Sequence, residues 1–149
     1  MSQGETVGPL DLSVGYLLKR AATALRTAMD TALRPLDLTV PQYSCLEVLS
    51  QRPGLSNAEL ARAVFVTRQS MNLVLRGLQD RGLVTRPTTA PQGRALPSTL
   101  TPAGRAQLRT ASGLVREVEK RMLEPFSAAG RDGLLRDLAA CVDALTPQE

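Results

Sequence analysis

The stretch from Ser56 to Gly82, "SNAELARAVFVTRQSMNLVLRGLQDRG", constrains the fold more than any other part of the chain. Ser56 and Glu59 have the spacing of a capping box, so a short helix starts there, with Leu60, Ala61 and Val64 on its inner face. Val64-Phe65-Val66 then makes a turn, and Thr67 caps a second helix. Met71, Val74, Leu75 and Leu78 fall at i, i+3, i+4 and i+7, an inner stripe. At about 100° per residue, Gln69, Leu73, Arg76 and Asp80 point the other way, with Asn72 beside them. Gly82 supplies the stop. A short capped helix, a tight turn and a longer helix with a polar front form a helix-turn-helix pattern.

The flanks extend this unit. Leu83 to Arg86 and Ala95 to Leu100 read as two strands around a Pro/Gly-containing loop, with Pro97 confining the second to an edge. A hairpin directly after a helix-turn-helix makes a winged helix. Upstream, apolar residues at helical period predict a long helix from about Asp11, its cap, to Arg34, with Pro35 ending it. A second helix begins near Pro41, capped by Thr39 or Val40, and ends before Pro53. Downstream, Thr101 caps and Pro102 opens a helix whose face is Leu108, Ala111, Val115, Val118 and Met122; Pro125 stops or bends it. A last helix spans about Arg131 to Leu145. The predicted fold is mainly α: a winged helix-turn-helix with a small β-hairpin wing, plus N- and C-terminal helices. Aromatic residues make up only 3% of the chain, so Leu, Val and Ala must build its core.

Charge is distributed unevenly. Residues 1–51 carry four bases and five acids, net −1. Residues 52–109 carry nine bases, all Arg, against two acids, net +7. Residues 110–149 carry five bases and seven acids, net −2. A basic middle made of guanidinium groups suits bidentate contacts to phosphate and guanine. Arg enrichment from genome composition accounts for Arg over Lys, but not for the missing acids. The chain has no His, no Cys cluster, no Walker loop and no nucleophile elbow, so an enzyme is not expected and no cofactor is implied. Cys45 and Cys141 sit in apolar contexts and read as buried small hydrophobes. With no run of about 18 apolar residues and no signal-peptide pattern, a soluble cytoplasmic protein is expected.

The segments "LTVPQYSCLEVL", "SNAELARAV", "VTRQSMNLVLRGLQDRGLVTR" and "LTPAG", in this order and spacing, resemble the MarR (multiple antibiotic resistance regulator) family of winged-helix transcription regulators. The resemblance covers nearly the whole chain. It implies a homodimer whose body is formed by residues 1–37 and 102–149, with a DNA-binding region over 38–101. The implied partner is double-stranded DNA carrying a pseudo-palindromic operator, and the implied role is regulation, as a repressor. The sequence departs from the family at the wing, where "APQGRAL" has Gln92 and Gly93 in place of an acid beside the wing arginine, Arg94.

Recognition helices enter the major groove near their N-terminus. There Gln69 and Asn72 suit adenine, Arg68 or Arg76 suits guanine, and Ser70 suits a base or phosphate. Exposed Leu73 suits a thymine methyl. Thr67, Ser56 and Asn57 are candidates for the backbone phosphates. Arg94 is assigned to the minor groove, with Arg62, Arg81 and Arg86 as further phosphate candidates. The family likeness also implies a small aromatic or anionic effector, for which Tyr43 and Arg20 offer an aromatic face and a cation. Their plain alternatives are a core tyrosine and a solvated arginine. Two other readings stay open: a thiol-redox sensor of the same fold using Cys45 or Cys141, and a winged helix for protein–protein assembly.

Overall fold

The computed structural model describes residues 8–86 and 97–148. A helical turn, Leu10–Leu12, precedes α1 (Val14–Leu33), and a second turn, Arg34–Leu36, leads into α2 (Val40–Gln51). The pair α3 (Asn57–Ala63) and α4 (Arg68–Asp80) follows, then β1 (Val84–Thr85) and β2 (Thr99–Leu100). Helices α5 (Pro102–Leu123) and α6 (Ala128–Leu145) complete the chain. The strands pair antiparallel, Val84 with Leu100 and Thr85 with Thr99.

Capping chemistry sets most of these boundaries. Thr39 and Ser56 each form a full capping box, with Gln42 and Glu59 respectively. Thr67, Thr101 and Ser127 each accept from the backbone N–H three residues on. Two predicted starts move. Ser13 caps α1, accepting from the Tyr16 N–H at 3.3 Å, while Asp11 sits in the preceding turn. Ser127 starts α6 three residues earlier than Arg131. The hydrophobic pattern begins at Leu134, so apolar spacing alone put that start too late.

The strands are shorter than predicted, and the end of α4 explains one of them. Gly82 takes φ 72°, and the Leu83 N–H donates to the Leu78 carbonyl at 2.9 Å, closing the helix. Leu83 is therefore part of a helix cap rather than a ladder residue. Arg86 lies past the pairing, as do Pro97 and Ser98; Ala95 lies outside the described residues.

One core runs through the molecule. Leu46, Leu60, Met71, Leu75, Leu78 and Leu33 are fully buried, joining α1 through α4, and Leu108 and Ala111 bring in α5. Helix α2 is central, packing on α1, α3, α4, α5 and β2. Cys45 lies in this core, and burial pushes its thiol up to about 12. Cys141 is exposed, contrary to its reading as a buried hydrophobe, because α6 buries no residue within the chain. Among the described residues no helix is long and apolar enough to cross a membrane.

Candidate nucleic-acid interface

Helix α4 divides by face. Met71, Leu75 and Leu78 are buried, and Val74 is half-buried against the core. Thr67, Arg68, Gln69, Ser70, Asn72, Leu73 and Arg76 are all exposed. The exposed set clusters in the first turns, where free backbone N–H groups and the helix dipole favour anions. The Thr67 hydroxyl caps that end, accepting from the Ser70 N–H at 3.0 Å. No acid lies in the first turn.

Helix α3 braces this face. The Asn57 Nδ2 donates to Asn72 Oδ1 at 2.6 Å, tying the first helix of the motif to the front of the second. Asn72 keeps its own Nδ2 donor, and its oxygen retains a second lone pair. The Asn57 Oδ1 is buried without a hydrogen-bond partner. The Ser56 hydroxyl and N–H are both used in its capping box, with Glu59 at 3.2 and 3.0 Å. Those bonds, first the Ser56 backbone N–H, hold the Glu59 carboxyl below its ordinary range. Ser56 is thus primarily a structural cap, and Asn57 a brace.

The remaining arginines separate. Arg62 is exposed on α3. Arg86, at the base of the wing, is half-buried, and its Nε is buried without a partner among the described residues. Arg81, assigned to phosphate from the sequence, is committed within the chain. Its Nη1 donates to the Asp37 carbonyl at 2.7 Å and its Nη2 to the Leu36 carbonyl at 3.1 Å. Sequence spacing carries no sign of this, since the partners lie more than forty positions away. Arg94, with Gln92 and Gly93, lies outside the described residues.

Arg20 and Tyr43 take up separate roles. Arg20 is exposed on α1, 5.9 Å over the Tyr16 ring and 4.0 Å from Asp11. Tyr43 is a buried core tyrosine whose hydroxyl donates to Glu47 Oε2 at 3.0 Å. Burial, with Glu47 adding to it, pushes its pKa up to about 12. A cavity of about 280 Å³ does open between α1, α2 and the turn before α4. Arg26, Ser44 and Phe65 are on its wall; Arg20 and Tyr43 are not. Ser44 is one residue round the helix from Tyr43, a rotation of about 100°, which side-chain chemistry alone does not resolve. Phe65 stands out for another reason: at φ 63° it holds a left-handed conformation, and the residue is 93% exposed.

Comparison with known proteins places this arrangement. The model of the MarR family matches residues 36–95. The HTH-type transcriptional repressor Rv2887 of Mycobacterium tuberculosis is 50% identical over 118 residues, 79% of this chain and 85% of the relative. A crystal structure of Rv2887 in complex with DNA has a TM-score of 0.73 at 45% identity, covering 86% of this chain and 96% of that one. Rv2887 in complex with salicylic acid also gives 0.73, at 47% identity over 86% and 95%. A relative at this identity over most of both chains shows that the chain belongs to the MarR family of winged-helix transcription regulators.

Proposed function

We propose that this protein is a dimeric transcription repressor, working in the cytoplasm on a pseudo-palindromic operator and released by a small aromatic or anionic effector. The observation that carries the reading is α4, with its apolar back sealed in the core and its acid-free polar front exposed. In this reading Gln69 and Asn72 read adenine, and Arg68 or Arg76 reads guanine. Ser70 contacts a base or phosphate, Thr67 and the α3 N-terminus sit at the backbone, and Arg94 enters the minor groove. Residues 38–101 form the reading head. Residues 1–37 and 102–149 form the dimer body, which is supported by exposed Leu10, Leu12, Leu135, Leu138, Val142 and Leu145.

The effector site that fits best is the cavity between α1 and the helix-turn-helix. It offers the Arg26 cation and the Phe65 ring, and it borders the turn that leads into Thr67. A ligand there biases the domain only if it binds two spacings of α1 and the turn unequally. Thiol sensing by Cys45 is disfavoured, because a buried thiol with so high a pKa carries almost no thiolate.

The test is a footprint on the promoter beside the protein's own coding sequence, followed by anisotropy titrations over a salt series. Two half-sites about one helical turn apart are expected, with affinity falling steeply as salt rises. Arg94→Ala is expected to cost about 1–3 kcal/mol; unchanged affinity removes Arg94 from the interface. Salicylate is the probe for the cavity, and Arg26→Met is expected to abolish its effect on DNA binding. A protein whose duplex binding is absent or indifferent to salt is instead a winged helix for protein–protein assembly.

A further inference from the structure

The C-terminal end of α4 is where the helix-turn-helix joins the rest of the chain, and it is held at two separate points. The first is a close approach of α5. The Thr101 hydroxyl donates to the Gly82 carbonyl at 2.6 Å, and the Thr101 N–H donates to the Leu83 carbonyl at 3.1 Å. A Cβ on Gly104 would overlap that same Leu83 carbonyl oxygen. The second point is the Arg81 fork. It grips two successive carbonyls, Leu36 and Asp37, at the junction between α1 and α2. Asp37 adopts φ 55°, closing the Arg34–Leu36 turn. Gln107 of α5 donates to the same Leu36 carbonyl at 3.2 Å. One backbone oxygen thus receives a donor from α4 and a donor from α5.

We infer that Arg81 and Gln107 are positioning residues for operator recognition: together they fix the tilt of α4 relative to the α1–α5 frame. This rests on the reading of α4 as the recognition helix. The buried stripe seats α4 on the core, and the two attachments at its C-terminal end add directional constraints on its tilt. Helix α4 spans 13 residues, a lever of about 20 Å from Arg81 to Arg68. A tilt of about 5° at the clamp displaces the far end by about 1.7 Å over that lever. Base-edge hydrogen bonds tolerate only a few tenths of an ångström, so they are lost. Attraction to the phosphate backbone survives, because it depends on charge rather than on fixed geometry. Asn57 and Asn72 make α3 follow α4, so the clamp sets the pair as a unit.

A phosphate role for Arg81 makes the opposite forecast, and two variants separate them. Arg81→Lys keeps the charge but loses the planar fork that spans two carbonyls. Gln107→Met removes the α5 donor with no change of charge. The probes are a duplex of about two helical turns, selected by the wild-type protein from a random pool, and a scrambled duplex of equal length. Titrations are run over a salt series, and stoichiometric titration fixes the active fraction so that partial unfolding does not enter the affinities. The expected result is a roughly tenfold loss of affinity for the selected duplex with Arg81→Lys, and a smaller loss with Gln107→Met. Affinity for the scrambled duplex and the salt slope stay at wild-type values. Wild-type discrimination by both variants overturns the inference, as does a parallel loss on both duplexes. If the wild-type protein itself selects no sequence from the pool, the regulator reading falls and the positioning role falls with it.

Discussion

Helix α4 buries Met71, Leu75 and Leu78 inside its own chain, whereas α6 carries Leu135, Leu138, Val142 and Leu145 and buries none of them. Both helices are amphipathic by spacing. The difference is where the cover comes from. Around α4 it is supplied by α2, α3 and β1 of the same chain, so one face is sealed and the other is left for a polar partner. Around α6 the described residues bury no side chain fully, and Leu145 remains 87% exposed. Apolar periodicity therefore states that a face requires cover, and only packing states whether a second molecule must provide it.

The largest effects separate the two helices directly. Leu75→Ala is expected to destabilise the protein by about 2–5 kcal/mol in urea unfolding, since it opens a cavity in a closed core. The Leu75→Ala protein keeps its dimer mass. Leu138→Asp does the reverse: helical circular dichroism persists, and light scattering shows a monomer. The assembly loss is on the order of 2 kcal/mol or more, the scale of an interface hot spot. A Leu138→Asp protein that stays dimeric at micromolar concentration removes α6 from the interface.

A smaller effect tests the joint between the two regions. In α5, Gly104 faces the Leu83 carbonyl with no room for a side chain, while Gly113 has only the tip of Arg116 within reach, at 3.8 Å. The same substitution should have opposite signs at the two sites. Gly104→Ala is expected to cost about 1–3 kcal/mol by overpacking. Gly113→Ala is expected to gain up to about 1 kcal/mol through helix propensity alone. Equal shifts at both positions would mean that the contact of α5 with the end of α4 is not tight.

What was legible in the sequence follows the range of the interactions involved. Caps are local, and Thr67, Ser56 and Thr101 each do what their spacing predicts. The buried stripe of α4 is equally local and appears as read. Asn57 was readable as polar and near the motif, but not as the brace of Asn72 fifteen positions on. Arg81 and Gln107 were harder still, because a clamp on the Leu36 carbonyl leaves no pattern in side-chain spacing. Tyr43 offers both a ligand-facing ring and a core tyrosine from the sequence, and its burial follows the core reading for a related reason. The acid that holds its hydroxyl, Glu47, is one turn away, but the burial that keeps both inward comes from α5.

That last group also yields the smallest and most specific expectation. Glu47 sits on α2 facing α5, accepting from Tyr43 at 3.0 Å, Gln51 at 2.7 Å and Ser112 at 3.0 Å. Burial by itself would raise its pKa. The hydrogen bonds from Gln51, Ser112 and Tyr43, with Arg116 nearby, outweigh burial and lower it. A lowered folded-state value means that the unfolded chain binds the proton more readily. Its contribution is therefore complete above the ordinary carboxylate value of 4.5 and is lost as pH falls through the lower folded value. The wild-type protein should lose more stability over that interval than Glu47→Gln, which keeps the shape without the titration. Parallel urea midpoints for the two proteins from neutral pH down to about pH 3 would show that the bond network across α2 and α5 does not depend on the Glu47 charge.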